Sequence, residues 1–166
     1  AECVGVKATA IAGIVAFAKN NTVDFVMVAP DDPLALGLVD ALESAGIRAF
    51  GPCADAAVIE SSKAFSKSVM KKYGIPTARY EIFSDYAAAA AYIKEQGAPI
   101  VVKADGLALG KGVVVAQDVE TALDALASMM KNDKFGDSGH TVVIEECMTG
   151  PEVTVLAFTD GKTIVP

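Results

Sequence analysis

The residues best suited to chemistry lie in one run, Ile100-Val101-Val102-Lys103-Ala104-Asp105-Gly106-Leu107-Ala108-Leu109-Gly110-Lys111-Gly112-Val113-Val114-Val115-Ala116. Gly106, Gly110 and Gly112 let the backbone approach a ligand without Cβ clashes, and Lys111 stands at the tip, where it can reach an anion. This suits a loop that cradles phosphate. A Walker A loop is excluded, because only three residues separate Gly106 from Gly110 where four are required, and Gly112 stands where Ser or Thr would hold Mg²⁺. The β-branched Val113-Val114-Val115 that follows reads as a strand, whereas Walker loops and dinucleotide fingerprints open helices. A ligand would lie under a flexible β-hairpin, not at a helix N-terminus.

Two further lysines point the same way. Strand alternation puts Lys103 on the face of Val101, and a lone ammonium on a largely buried sheet is costly unless an anion meets it. Lys63 falls near the start of a helix, where the macrodipole disfavours a cation, so a bound anion would account for it. Downstream, Glu145-Glu146-Cys147-Met148-Thr149-Gly150-Pro151-Glu152 ends a strand in adjacent carboxylates before a Gly-Pro break, leaving backbone groups free to pair with a base edge. Glu152 could accept hydrogen bonds from ribose hydroxyls. Each feature also has a plainer reading: a hairpin turn, a snorkelling strand lysine, a solvated lysine, an acidic strand exit. The second glycine-rich stretch, Phe135-Gly136-Asp137-Ser138-Gly139, is a second lid or a turn, and His140 reads as a loop residue.

The elements that must position these groups can be read from periodicity. The expected order is a helix over 10–19, a strand over 23–29 buried on both faces, a helix over 34–45 with Asp32 as N-cap and Pro33 at its first position, and a strand over 48–50. Gly46 takes the left-handed position after the second helix. This is one repeat of a parallel α/β layer without its opening strand, so the sequence looks like an excerpt of a longer protein. A Ser-capped helix over 61–73, ended by Gly74, follows Gly51-Pro52. Strands at 80–83, 100–104, 113–116, 142–146 and 153–158, helices at 85–96 and 119–131, and a last strand from Lys162 after the Asp160-Gly161 turn complete the order. That last strand begins just before Pro166, so the sheet is expected to continue beyond it.

Composition narrows the classes. The chain has 166 residues, 52% apolar and 21% charged, enough for a buried core. With 14 Lys+Arg against 21 Asp+Glu the net charge of −7 disfavours nucleic-acid binding, and 7% aromatic content without Trp disfavours base-stacking platforms. No apolar run is long enough to span a membrane and no secretory signal opens the chain, so a soluble, cytoplasmic protein is expected. Cys3, Cys53 and Cys147 have no zinc spacing and read as reduced, structural thiols.

In this order the chain resembles the ATP-grasp superfamily and, within it, the phosphoribosylamine–glycine ligase family, also called glycinamide ribonucleotide synthetases. The resemblance rests on Phe50-Gly51-Pro52, Ser62-Lys63-Ala64-Phe65, Gly74-Ile75-Pro76-Thr77-Ala78, Val143-Ile144-Glu145-Glu146 and above all Lys103-Ala104-Asp105-Gly106-Leu107-Ala108 with Gly110-Lys111-Gly112. It implies an α/β fold in which a partial parallel layer (1–60) precedes a truncated ATP-grasp lobe, mainly an antiparallel sheet with two helices. Parts of a central domain would lie at 61–80 and 149–166, with a mobile lid at 81–148. It implies an ATP-dependent ligase of purine biosynthesis that joins glycine to 5-phosphoribosylamine, yielding ADP and phosphate through glycyl phosphate. ATP and Mg²⁺ are the implied cofactors. Lys63 and Lys103 would bind ATP phosphates, with the segment carrying Asp105, Gly106, Gly110, Lys111 and Gly112 closing over them. Glu145 with the backbone of Glu146 and Met148 would frame adenine, Glu152 would hold the ribose, and Asp31 would serve the phosphoribosylamine site. The family commonly has Gly-Pro-Glu-x-Pro-Leu where this chain has Ala29-Pro30-Asp31-Asp32-Pro33-Leu34. Metal ligands would lie beyond Pro166, no catalytic group is assigned, and the chain alone is expected to be inactive. Another ATP-grasp carboxylate–amine ligase and a non-catalytic nucleotide-binding module are the alternatives; a dehydrogenase lacks its helix-opening fingerprint.

Overall fold

The computed structural model describes residues 2–107, 112–131 and 139–166. Helix α1 (Ile11–Asn20), strand β1 (Phe25–Met27), helices α2 (Asp31–Ala35) and α3 (Leu38–Ser44) and strand β2 (Arg48–Phe50) form the first layer, with β1 and β2 parallel and Val26 opposite Ala49. Its core is Ala18, Val28, Leu38, Val39, Leu42 and Ile47. The strand expected over 23–29 is shorter and covered on one face only. Phe25 and Met27 are 50% and 59% exposed, because α1 and α3 pack against the Val26 and Ala49 side, while on the other the Phe158 ring lies 5.7 Å from that of Phe50 and leaves Phe25 and Met27 open.

The expected helix over 34–45 is two helices. Gly37, at φ +78°, takes a left-handed turn between α2 and α3. Pro30, not Asp32, is the residue before α2, and Pro33 sits third within it. The first turn tolerates this because its N–H groups have no partner inside the helix. Gly46 does take the left-handed position after α3, at φ +77°. Helix α4 (Ala54–Ser61) was not foreseen; no side chain next to it caps it, and its first N–H instead donates to Asp40 Oδ2 at 2.8 Å, a residue 14 positions upstream.

Helix α5 (Lys63–Tyr73) begins as expected, Ser62 Oγ accepting from the Phe65 N–H at 3.0 Å, and ends at Gly74. Beyond it β3 (Tyr80–Phe83), β4 (Ile100–Ala104), β5 (Val113–Ala116) and β6 (Val142–Glu146) form an antiparallel sheet in the order β3-β6-β4-β5. Helices α6 (Tyr86–Gln96) and α7 (Val119–Met130), capped by Asp85 and Asp118, cover one face. Ile93, Ile100, Val102, Leu126, Val142 and Ile144 are buried there together. Alternation therefore turns Val101, Lys103 and Glu145 to the opposite face, Val101 and Glu145 facing each other across the register. That face looks toward α5.

Strands β7 (Phe158–Thr159) and β8 (Ile164–Val165) form a small hairpin through Gly161, at φ +84°, as the Asp160-Gly161 turn implied. Residues 153–157, expected as strand, are not. Val153 and Val155 are 79% and 77% exposed, so β-branched propensity finds no strand to pair with among the described residues. The three cysteines are free thiols, and Cys3 and Cys53 are exposed, so these two do not serve the packing role expected of them. Among the described residues, no helix is long and apolar enough to cross a membrane.

Candidate functional site

The N-terminus of α5 meets the start of the glycine-rich segment. Asp105 Oδ1 accepts the Ala64 N–H at 2.7 Å, and Ser62 Oγ donates to the same carboxylate at 3.1 and 3.2 Å. Lys63 Nζ donates to the Gly106 carbonyl at 2.9 Å. The two segments, some 43 positions apart, are thus clasped at both strands of the contact. The anion expected at the Lys63 end of the helix is supplied from within the chain, by Asp105. Partial burial pushes the Lys63 amine below the ordinary lysine range, the Asp105 charge opposing this and the nearby Lys103 charge adding to it.

Lys103 is likewise not alone on its sheet face. Its Nζ lies 2.8 Å from Glu145 Oε2, because the β4–β6 register sets Glu145 one diagonal step from Lys103. Glu145 is thus an anion that meets Lys103 from within the chain, and an external phosphate is not needed to explain where this half-buried lysine sits. Glu145 is 5% exposed and carries a second ion pair, Oε1 to Lys67 Nζ at 3.2 Å. That contact is poorly aligned for a hydrogen bond and leaves Oε1 buried without a donor. Lys67, itself buried, also donates to Thr77 Oγ1.

These groups surround a cavity of about 600 Å³ between the first layer, α5 and the sheet. Of the residues proposed from sequence, Asp31, Lys63, Lys103, Gly106, Gly112 and Glu145 line it. Asp105 sits beside it with its carboxylate on α5. Glu146 points elsewhere: its Oε1 accepts the Arg79 N–H at 2.9 Å and its Oε2 the Arg79 Nε–H at 2.8 Å, at the wall of a second cavity of about 640 Å³. Those hydrogen bonds hold its carboxyl below the usual range, the backbone bond first. Met148 and Glu152 are exposed and line neither cavity. Gly110, Lys111 and the Phe135-Gly136-Asp137 stretch lie outside the described residues.

Sequence reasoning missed Lys67. The available signal was its spacing: Lys63 and Lys67 are four apart in a helix and share a face. With Lys103 they bring three ammoniums to one concavity, whose other charged lining is Glu145 between two of them and Asp31, Asp32 and Glu60. A cavity of this size with convergent cations suits a polyanionic small molecule.

Residues 61–166 match the family model described as phosphoribosylglycinamide synthetase, ATP-grasp (A) domain, and residues 1–60 match phosphoribosylglycinamide synthetase, N domain. The chain belongs to the phosphoribosylglycinamide synthetase family. It is 57% identical over 148 residues to the phosphoribosylamine–glycine ligase of Streptococcus pyogenes serotype M6, covering 89% of this chain and 35% of that protein. To the Listeria monocytogenes serotype 4b protein of the same name it is 52% identical over 165 residues, or 99% of this chain and 39% of that one. The chain thus spans little more than a third of the length of these curated relatives. The crystal structure of the Thermotoga maritima phosphoribosylamine–glycine ligase superposes with a TM-score of 0.66 at 36% identity, over 71% of this chain and 30% of that one. Biotin carboxylase from Campylobacter jejuni, solved as a β,γ-ATP complex, shares the fold at a TM-score of 0.70 and 23% identity, covering 85% of this chain and 32% of that one. The expected α/β class and the ATP-grasp resemblance of the synthetase family both stand.

Proposed function

We propose that this chain is the nucleotide-gripping portion of a cytoplasmic phosphoribosylamine–glycine ligase, which joins glycine to 5-phosphoribosylamine as ATP becomes ADP and phosphate. The observation that carries the reading is the convergence of Lys63, Lys103, Gly106 and Gly112 on one cavity in a member of this family. Ammoniums at Lys63 and Lys103 would neutralise β- and γ-phosphate oxygens through charge-assisted hydrogen bonds. Gly106 and Gly112, with Gly110 and Lys111, would let the hairpin backbone lie against them. Glu145, with an oxygen still lacking a donor, and the strand exit at Glu146 and Met148 would border the base, with Glu152 toward the ribose and Asp31 on the phosphoribosylamine side.

The cavity, about 600 Å³, is large enough for a nucleotide, and Lys63, Lys67 and Lys103 are its basic groups beside four carboxylates. It does not supply a magnesium site: among the described residues no group of three or more His, Cys, Asp or Glu is placed to hold a metal. Mg²⁺ belongs to the reading only as the ion that accompanies ATP, and no step is assigned to it here.

In this reading residues 1–60 belong to the N-terminal domain, 61–80 and 149–166 to the central domain, and 81–148 to a lid. Lid closure excludes water, which a reactive glycyl phosphate needs in order to meet the amine before it hydrolyses. What this chain contributes is binding, orientation and exclusion of water. The test is glycine-dependent ADP release by a chain of the relatives' full length carrying these residues, with phosphoribosylamine generated in place. ADP release that requires both glycine and phosphoribosylamine supports the reading; release independent of glycine refutes it.

A further inference from the structure

Lys67 is the one cavity ammonium to which the proposed function gives no task. It follows Lys63 by one turn of α5, is 8% exposed, and has its Nζ engaged by Thr77 Oγ1 and by Glu145 Oε1. The Tyr80 ring lies 5.3 Å away on a further side. Lys103 is the more open of the two, its side chain 26% exposed against 10% for Lys67. One carboxylate therefore serves two ammoniums, and Lys67, Glu145 and Lys103 together carry a net charge of +1.

The unbalanced positive charge sits at the cavity wall. A lysine has three N–H donors, and Glu145 Oε2 takes one from Lys103. Were Glu145 paired with Lys103 alone, the pair would be neutral and its pull on a polyphosphate weak. Resting on the nucleotide reading above, we infer that Lys67 is a positioning residue. By its ion pair with Glu145 Oε1, a charge contact that leaves this oxygen without a hydrogen bond, it keeps that carboxylate from neutralising Lys103, and by joining α5 to β6 it fixes where Lys103 points. Lys67 acts through Glu145 and does not itself touch the nucleotide.

The charge balance makes the inference testable by a pair of substitutions. Lys67→Met takes the triad from +1 to 0, and adding Glu145→Gln returns it to +1. In a chain of the relatives' full length, calorimetric titration with MgATP and with AMP should show Lys67→Met weakening MgATP on the order of tenfold, with AMP changed less than about twofold. Because Glu145 is itself placed beside the base, the double variant Lys67→Met with Glu145→Gln is judged by the ratio of its MgATP to AMP affinity, which should recover most of what Lys67→Met loses, and Lys67→Arg should retain near-normal affinity. A purely structural lysine would not be rescued by deleting its partner's charge. Unchanged MgATP affinity in Lys67→Met overturns the inference, and so does equal weakening toward MgATP and AMP without rescue. Should Lys67→Met fail to fold, Lys67→Gln, which keeps a donor for Thr77, is measured in its place under the same criteria. Wild-type protein that binds no MgATP refutes the functional reading and this inference with it, whereas normal wild-type binding with an indifferent Lys67 refutes the inference alone.

Discussion

Replacing Asp105 by Ala removes the clasp between the glycine-rich segment and α5. The lost contacts are the 2.7 Å bond from the Ala64 N–H and the 3.1 and 3.2 Å contacts from Ser62 Oγ, all to one carboxylate. Hydrogen bonds to a charged group contribute about 1.5–3 kcal/mol, and a carboxylate in the first turn adds up to about 1 kcal/mol through the helix dipole. The two figures overlap, and the site is only partly buried, so a loss of about 2–3 kcal/mol is expected. For a domain of this length that lowers Tm by roughly 5–10 °C. Asp105→Asn keeps an oxygen for the Ala64 N–H and should cost less than half as much. Differential scanning calorimetry measures both losses, and amide exchange at Ala64 reports the clasp bond itself. An Asp105→Ala protein with unchanged Tm and unchanged protection at Ala64 would refute the clasp.

Lys103→Ala should weaken MgATP binding about ten- to hundredfold, the value of one charged hydrogen bond, and equal affinities in a calorimetric titration would remove Lys103 from the site. Glu146 has a depressed folded-state pKa, so its pair with Arg79 contributes fully above the ordinary glutamate range and is lost as pH falls through the folded value. Arg79→Ala removes the side-chain bond and keeps the backbone N–H bond, so it should make that part of the acid limb of Tm against pH shallower without abolishing it, and leave neutral-to-alkaline behaviour parallel to wild type. Leu126→Ala, at a fully buried position under the four-stranded sheet, should cost about 2–5 kcal/mol in urea unfolding; a change below 1 kcal/mol would contradict the core as described.

Local signals carried much of the fold. Ser62, Asp85 and Asp118 mark the starts of α5, α6 and α7, and each caps as its side chain suggests. The β4–β5 hairpin followed from two β-branched runs flanking glycines. What failed depended on distant residues. The cap of α4 comes from Asp40, and the open face of β1 depends on which helices pack there. Val153 and Val155 have strand propensity, but no strand among the described residues pairs with them. At the site, the types and order of Lys63, Lys103, Gly106 and Gly112 were legible, and these four line one cavity. Their partners were not. Asp105 on the helix N-terminus and Glu145 between two lysines are set by sheet register and by how α5 docks, which no local window contains.

The central claim is that Lys63 and Lys103, under the glycine hairpin, hold the phosphates of ATP. A crystal structure of a full-length chain carrying these residues, with a non-hydrolysable ATP analogue, tests it most directly. The account predicts β- or γ-phosphate oxygens within about 3 Å of both lysine Nζ atoms, with Lys63 turned away from the Gly106 carbonyl. Phosphates seated instead in the second cavity beside Arg79, or anywhere out of reach of both lysines, would contradict it.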